Sequence, residues 1–82
     1  MYSVEFSSNA QKQLSKIGNE AQGRIFSTLE RVRVRPYPHV KRLVGSPYFR
    51  LRAGPYRVIL EIRETVLIIF VIEIGHRGTI YK

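Results

Sequence analysis

The stretch that decides the fold is Tyr48-Phe49-Arg50-Leu51-Arg52-Ala53-Gly54-Pro55-Tyr56-Arg57-Val58-Ile59-Leu60-Glu61-Ile62. Apolar and polar residues alternate on both sides of Gly54-Pro55, which is typical of two half-buried strands joined by a tight turn. Glycine at the first turn position fits a type II′ hairpin, because that position requires a positive φ. We therefore predict strands over 48–53 and 56–63.

The turn also fixes which side chains share a face of the hairpin. A two-residue turn pairs apolar residues across it, namely Ala53 with Tyr56, Leu51 with Val58 and Phe49 with Leu60. The opposite face then carries Arg50, Arg52 and Arg57. Arg52 lies directly opposite Arg57, which is destabilising unless an anion bridges the two guanidinium groups. We interpret this face as a phosphate clamp.

The residues before the hairpin predict a short strand and two helices. The strand is Tyr2–Phe6, which alternates apolar and polar residues. The first helix begins with Ser8 as N-cap, because Ser8 and Gln11 have the spacing of a capping box. It ends at Gly18, which suits a left-handed helix end. The second helix carries an apolar stripe at helical spacing, formed by Ala21, Ile25, Leu29 and Val32.

The remaining segments complete the predicted topology. Val34–Ser46, with its two prolines, is predicted to be a connector. Thr65–Ile74 is apolar at nearly every position, which predicts a central strand covered on both faces, and Gly75–Lys82 is a polar tail. The predicted order is β-α-α-β-β-β. We expect an α+β fold in one domain, 1–82, with the helical pair packed on one face of a small, mainly antiparallel sheet.

The charge of the chain is concentrated in one region. Its formal net charge is +8, from 14 Lys and Arg against 6 acidic residues. The window 31–60 contains no acidic residue, and its basic residues are Arg31, Arg33, Arg35, Lys41, Arg42, Arg50, Arg52 and Arg57. A one-sided basic surface binds polyanions, because each cation that neutralises a phosphate releases counterions. Nucleic acid is the first partner to expect.

The composition also argues against several classes of function. The chain has no cysteine and no aspartate, and its glutamates are scattered, so we expect no metal and no cofactor. The longest apolar run has about ten residues, against roughly twenty needed to span a bilayer. The N-terminus has no signal-peptide pattern. We therefore expect a cytoplasmic protein that does not bind membranes.

Few residues are left to carry chemistry. His76-Arg77 follows the last strand, where sites are commonly built, and we expect His76 to lie close to the basic face. Tyr81 could stack on a base or exchange a proton. Tyr48 falls on the basic face as a stacking candidate. His39, in the connector, is expected to be structural or solvated. An enzyme with this composition would be metal-independent and would act through Arg, His and Tyr.

The sequence resembles a known family, the RelE/ParE toxin superfamily. The resemblance lies in the Leu43-Val44-Gly45 motif, the 48–62 hairpin, Ile74-Gly75-His76-Arg77 and Ile80-Tyr81. RelE-type members are toxins of type II toxin–antitoxin pairs. They enter the ribosomal A site and cut messenger RNA, by attack of a ribose 2′-hydroxyl on the adjacent phosphate that leaves a cyclic phosphate.

The resemblance implies roles for individual residues. The catalytic set it implies is Arg50, Arg57, His76, Arg77 and Tyr81. RNA and ribosome contacts are expected from Lys41, Arg42, Tyr48 and Arg52. The implied partners are a RelB-like antitoxin in a hetero-oligomer, the ribosome and mRNA. Tyr48 stands where some members have Lys, and the tail between Arg77 and Tyr81 is short.

Two other functions stay open on the sequence. A ParE-like member of the same fold would poison DNA gyrase by binding and would have no nuclease activity. A plain nucleic-acid-binding module would use its arginines only to position phosphates. ParE-type chains generally lack the His-Arg…Tyr tail that this sequence has, so the resemblance favours the nuclease.

Overall fold

The computed structural model describes residues 1–76 and folds them as two helices on one face of a five-stranded sheet. The elements in chain order are β1 (Ser3–Phe6), α1 (Ser8–Ser15), α2 (Asn19–Val32), a 3₁₀ turn (Tyr37–His39), β2 (Val40–Arg42), β3 (Phe49–Ala53), β4 (Tyr56–Arg63) and β5 (Ile68–His76). The α+β class is confirmed. The order is β-α-α-β-β-β-β, one strand longer than the sequence predicted.

The strands lie in the spatial order β1-β5-β4-β3-β2, with β1 parallel to β5 and the other pairs antiparallel. The predicted hairpin register is correct, and Arg52 lies opposite Arg57. Gly54 has a φ of 62°, the positive value that the first position of a type II′ turn requires. The alternation along β3 and β4 therefore directs apolar side chains to one face and arginines to the other.

The core lies between the helices and that apolar face. Ile25, Leu29 and Val32 of α2 are almost fully buried. They share one cluster with buried residues of α1 and the sheet, which are Ala10, Leu51, Ala53, Val58, Leu60, Ile69, Val71 and Ile74. Neither helix is long and apolar enough to cross a membrane, within the 76 residues described.

The extra strand, β2, lies inside the segment predicted to be a connector. It pairs antiparallel with β3 and forms one edge of the sheet. Three residues are too few for alternation to be recognised, and the prolines before them indicate a loop. β2 forms because the edge of β3 is open for pairing. This pairing depends on the tertiary structure, so the local sequence does not indicate it.

The last strand begins later than predicted, at Ile68 instead of Thr65. Residues 64–67 form a turn in which Leu67 has a φ of 55° and its N–H bonds the Glu64 carbonyl, at 3.3 Å. The expectation that β5 is covered on both faces was wrong. Ile69, Val71 and Ile74 are buried beneath the helices, whereas residues on the other face are only half-buried.

Both predicted helix boundaries shift slightly. The N-cap of α1 is Ser7, not Ser8, and its Oγ accepts a hydrogen bond from the Ala10 N–H at 3.0 Å. Gly18 is the N-cap of α2, with φ −67° and ψ 161°, and is not a left-handed helix end. Ser7 and Ser8 are both suitable caps by composition, so sequence alone does not choose between them.

A β-bulge on β5 sets the register of its C-terminal half. Ile59 pairs with Glu73 and Leu60 with Val71, so Ile72 is the extra residue. The Ser7 Oγ donates to the Ile72 carbonyl at 2.7 Å. Just beyond, the Ile74 N–H donates to the Gln13 side-chain oxygen of α1. Side chains from α1 therefore satisfy backbone groups around the bulge, which places Ile74 in the core and Gly75 opposite Arg57.

The hairpin turn allows a sharp test of backbone strain. A Cβ at Gly54 would lie 2.7 Å from Cδ and 2.8 Å from Nη1 of Arg24, in a positive-φ conformation. We expect Gly54→Ala to lower the free energy of unfolding by about 1–3 kcal/mol in urea titrations. Gly23→Ala, in α2 with open space around it, should raise it by roughly 0.5–1 kcal/mol. Equal effects of the two substitutions would contradict the strain at Gly54.

Candidate nucleic-acid interface

The sheet face opposite the helices holds a cavity of about 200 Å³ lined mainly by cations. Its lining residues are His39, Lys41, Arg50, Arg52 and Arg57. They come from three adjacent strands and the 3₁₀ turn before β2. We call this group the arginine cavity. None of its lining residues is acidic, so it is complementary to an anion the size of a phosphate group.

Strand register explains why these side chains converge. Lys41 of β2 lies directly opposite Arg50 of β3, and Arg52 of β3 lies opposite Arg57 of β4. Directly opposite residues on one face have Cβ atoms about 4.5–5.5 Å apart. Four cations are therefore packed within two cross-strand pairs, and β2, which the sequence did not predict, supplies one of them.

Two of the cavity cations are partly withdrawn from water. Ile59, the cross-strand partner of Arg50, is only 7% exposed. Arg50 and Arg57 are half-buried, and the Arg57 Nε is shielded from solvent. Cations that are partly withdrawn from water interact more strongly with a bound anion than fully exposed ones, because solvent screens the interaction less. Arg52 and Lys41 are exposed and form the outer part of the cavity.

Other arginines are engaged elsewhere. The Arg33 guanidinium forms an ion pair with Glu30 and donates to the Tyr2 carbonyl at 2.9 Å. Arg63 pairs with Glu61 at 2.7 Å, and its guanidinium carbon lies 4.7 Å from the Phe70 ring centroid. These arginines serve the packing around β1 and β5, whereas Arg50, Arg52 and Arg57 line the arginine cavity.

His39 was expected to be structural or solvated. It is exposed to solvent, and it also lies in the lining of the arginine cavity. It ends the 3₁₀ turn, and its N–H donates to the buried Pro36 carbonyl at 3.0 Å. Tyr37 anchors the same turn through an edge-to-face contact with Phe49, at 5.8 Å between centroids. Partial burial and a hydrogen bond to Glu64 raise the pKa of Tyr37 to about 12, so its hydroxyl stays protonated.

The other sequence-predicted residues are placed differently. Arg42 neighbours Lys41 on β2 but has its guanidinium carbon 5.8 Å from the Phe49 ring, on the helix side. Tyr48 precedes β3 in the loop, is 36% exposed, and is not among the residues lining the cavity. His76 pairs with Tyr56 across the β4–β5 ladder, and their rings contact edge to face at 5.5 Å between centroids. Arg77 and Tyr81 lie outside the described residues.

The position of His76 separates it from the arginine cavity. Tyr56 packs against the core cluster beneath the helices, and its contact with His76 places that imidazole on the same face. Arg57, the next residue after Tyr56, points to the opposite face. The expectation that His76 lies close to the basic face was therefore wrong. The bulge at Ile72 is the cause, because one extra residue inverts the faces of all later side chains on β5.

The residue types that line the arginine cavity determine which chemical steps it can support. Guanidinium groups bind phosphate oxygens and stabilise charge that develops on them, but they do not exchange protons at neutral pH. His39 is the only cavity-lining residue of a type that exchanges protons there. Within residues 1–76, no group of three or more His or Glu side chains is close enough to hold a metal ion.

The crowded cations should also lower the free energy of unfolding. Like charges directly opposite on a sheet destabilise it by roughly 0.2–1 kcal/mol per pair. We expect Arg52→Gln to raise the free energy of unfolding by that amount at low salt and to weaken RNA binding. Arg52→Lys keeps the charge and should change stability less. If Arg52→Gln is no more stable than wild type in urea titrations at low salt, the Arg52–Arg57 repulsion is absent.

Comparison with known proteins places this geometry in context. The family model described as the ParE toxin of the type II toxin–antitoxin system parDE matches residues 4–81. A comparison with curated protein sequences found no match.

Similar folds occur among solved toxin structures. The isolated RelE toxin of E. coli is 26% identical, with a TM-score of 0.80 over 99% of this chain and 92% of that one. The intact E. coli RelBE toxin–antitoxin complex contains a chain that is 25% identical, with a TM-score of 0.82 over 95% of this chain and 99% of that one. The archaeal RelE–RelB complex from Pyrococcus horikoshii contains a chain that is 24% identical, with a TM-score of 0.81 over 95% of this chain and 97% of that one. This similarity shows the shared fold.

Proposed function

The chain belongs to the ParE toxin family of type II toxin–antitoxin systems, and within it we propose a RelE-type activity, ribosome-dependent cleavage of mRNA. The toxin would enter the ribosomal A site and promote attack of a ribose 2′-hydroxyl on the adjacent phosphate. This reaction leaves a 2′,3′-cyclic phosphate and inhibits translation. Ribosomes act in the cytoplasm, so the proposal includes cytoplasmic action.

The observation that carries this proposal is the arginine cavity. A cut at a phosphodiester builds negative charge on the phosphate oxygens, and preorganised, partly buried cations stabilise it. Arg50 and Arg57 are half-buried on strands, which hold their geometry more rigidly than loops would. A toxin that only binds a protein surface has no need for several cations around one cavity without an acidic residue.

A second candidate function is supported by the family description itself. ParE-like gyrase inhibition would need binding to DNA gyrase and no chemistry, and the matching family model is described by that type of toxin. The arginine cavity and the His76-Arg77…Tyr81 tail of the sequence favour the nuclease instead. A non-catalytic nucleic-acid-binding module is the third reading, in which the cavity only positions phosphates.

An antitoxin is part of the proposal. Solved RelE toxins of similar fold are bound to RelB antitoxins in complexes from a bacterium and an archaeon. These complexes support a toxin–antitoxin hetero-oligomer for this chain, with a RelB-like partner. Because the net charge is +8, an acidic antitoxin segment would associate rapidly and could neutralise the arginine cavity.

Primer extension on a translated messenger tests the proposed function. After brief induction of the toxin, cuts should appear at codon-spaced positions within the translated region, and should disappear when the start codon is removed. The same preparation should leave DNA gyrase supercoiling unchanged. Inhibition of gyrase together with intact messenger would establish the ParE-like alternative. Intact messenger, active gyrase and tight RNA binding would establish the module.

A further inference from the structure

We propose that His39 is a catalytic residue of the arginine cavity and accepts the 2′-hydroxyl proton during cleavage. This inference rests on the proposed nuclease function and extends it to a residue that neither the sequence nor the resemblance implicated. The first observation that supports it is that His39 lines the same cavity as Lys41, Arg50, Arg52 and Arg57.

The strand register gives the placement. Val40, the first residue of β2, pairs with Leu51, and His39 precedes it as the last residue of the 3₁₀ turn. Arg52, the residue after Leu51, lies opposite Arg57. His39 lines the cavity together with Arg52 and Arg57, which places one proton-exchanging group among the phosphate-binding groups.

The chemistry requires such a group. The 2′-hydroxyl must lose a proton as its oxygen attacks phosphorus, and neither Lys41 nor the arginines exchange protons readily at neutral pH. Of the two histidines, His76 lies on the helix side against Tyr56. On the sheet face of His39, the charged residues that line the cavity are Lys41 on β2, Arg50 and Arg52 on β3, and Arg57 on β4. The other charged residues on that face are Glu5 on β1, Glu61 and Arg63 on β4, and Glu73 on β5.

Cleavage forms one bond to phosphorus and breaks another. The 2′-hydroxyl proton passes to the neutral imidazole of His39, and the freed oxygen lone pair forms the O2′–P bond. The P–O5′ bond breaks, and the 5′ oxygen takes its electron pair and a proton from a separate general acid, the role that the family resemblance leaves to Tyr81. The products are a 2′,3′-cyclic phosphate and a 5′-hydroxyl, and His39 returns its proton to solvent.

Contacts within the protein position His39. Its 3₁₀ turn is anchored through Tyr37 and Phe49 on one side and through β2 on the other. His39 itself is exposed, so its replacement removes little packing. We therefore expect variants at this position to fold, which thermal melts of each variant will check.

The test is single-turnover cleavage of a synthetic mRNA on programmed ribosomes, with ribosome binding measured separately. His39→Ala should cut about a hundredfold more slowly or worse, the usual effect of losing a general base, while binding changes by only a fewfold. Added imidazole should restore part of the rate to His39→Ala. His39→Lys should stay slow, because it supplies a cation without a ready proton acceptor.

Two further arms separate the proposal from its alternatives. A substrate with sulfur in place of the 5′ oxygen has a better leaving group, so it should not rescue His39→Ala if the residue acts as base. Rescue by that substrate would make His39 an acid and overturn the proposal. A wild-type rate in His39→Ala, recovery in His39→Lys, or failure of imidazole to restore any rate would also overturn it. Equal slowing in His76→Ala with no effect at His39 would return the role to His76.

Cleavage by the wild-type protein distinguishes a failure of the His39 assignment from a failure of the proposed function. If wild-type protein cuts and His39→Ala cuts equally well, only the role of His39 fails. If the wild-type protein makes no cut on programmed ribosomes, the proposed function fails, and the assignment of His39 fails with it.

Discussion

Arg57→Ala is expected to slow single-turnover cleavage on ribosomes by about a hundred- to a thousandfold, the range found on removing a single charge-stabilising donor. Growth inhibition should disappear with it. Arg57 is half-buried, with its Nε shielded from solvent and Arg52 directly opposite. Alanine there removes the group best placed to meet charge developing on the phosphate, and also relieves the repulsion with Arg52.

The matched control is Arg31→Ala. Arg31 belongs to the same basic run of sequence, but it is exposed in the last turn of α2, on the helix side of the sheet. Arg31→Ala removes the same charge from the protein as Arg57→Ala, so a general loss of attraction to RNA would affect both variants alike. Full cleavage activity in a folded Arg57→Ala variant would remove the arginine cavity from the mechanism.

Tyr81→Phe is expected to slow cleavage by about a hundredfold, the scale for losing a general acid or base. The expectation rests on the resemblance of the tail to RelE-type toxins, because Tyr81 lies outside the described residues. Phenylalanine keeps the ring that could stack on a base and loses only the hydroxyl. Ribosome binding should therefore change little, whereas Arg77→Ala should weaken both binding and cleavage.

The measurement is single-turnover cleavage of both variants beside binding to the same programmed ribosomes. A wild-type cleavage rate in Tyr81→Phe would make Tyr81 a stacking or structural residue. Loss of binding and cleavage in equal proportion would give it a role in affinity alone.

The central hairpin is the part of the fold that sequence predicts best. Its turn has one allowed geometry around Gly54-Pro55, and the alternation on either side leaves one register that buries every apolar residue. The arginine face follows from that register alone. The helices are equally well predicted in type. The N-cap of α1 moves by one residue because two serines compete for it, and α1 ends at Ser15, before the predicted end at Gly18.

The errors that affect the candidate site arise from contacts between segments distant in sequence. Pairing of β2 with the open edge of β3 brings His39 and Lys41 to the arginines, and nothing local to Pro38-His39-Val40 indicates it. The bulge at Ile72 depends on Ser7 and Gln13, more than fifty residues away along the chain. That bulge decides which face His76 occupies, so alternation alone could not place it.

Cleavage by purified toxin on ribosomes programmed with a defined A-site codon tests the central claim most directly. The account predicts a cut within that codon, a 2′,3′-cyclic phosphate at the new end, and little or no cutting of the same RNA without ribosomes. It also predicts that Arg57→Ala makes no such cut under conditions in which Arg31→Ala does. Intact A-site mRNA with wild-type toxin demonstrably bound to the ribosome would contradict the account.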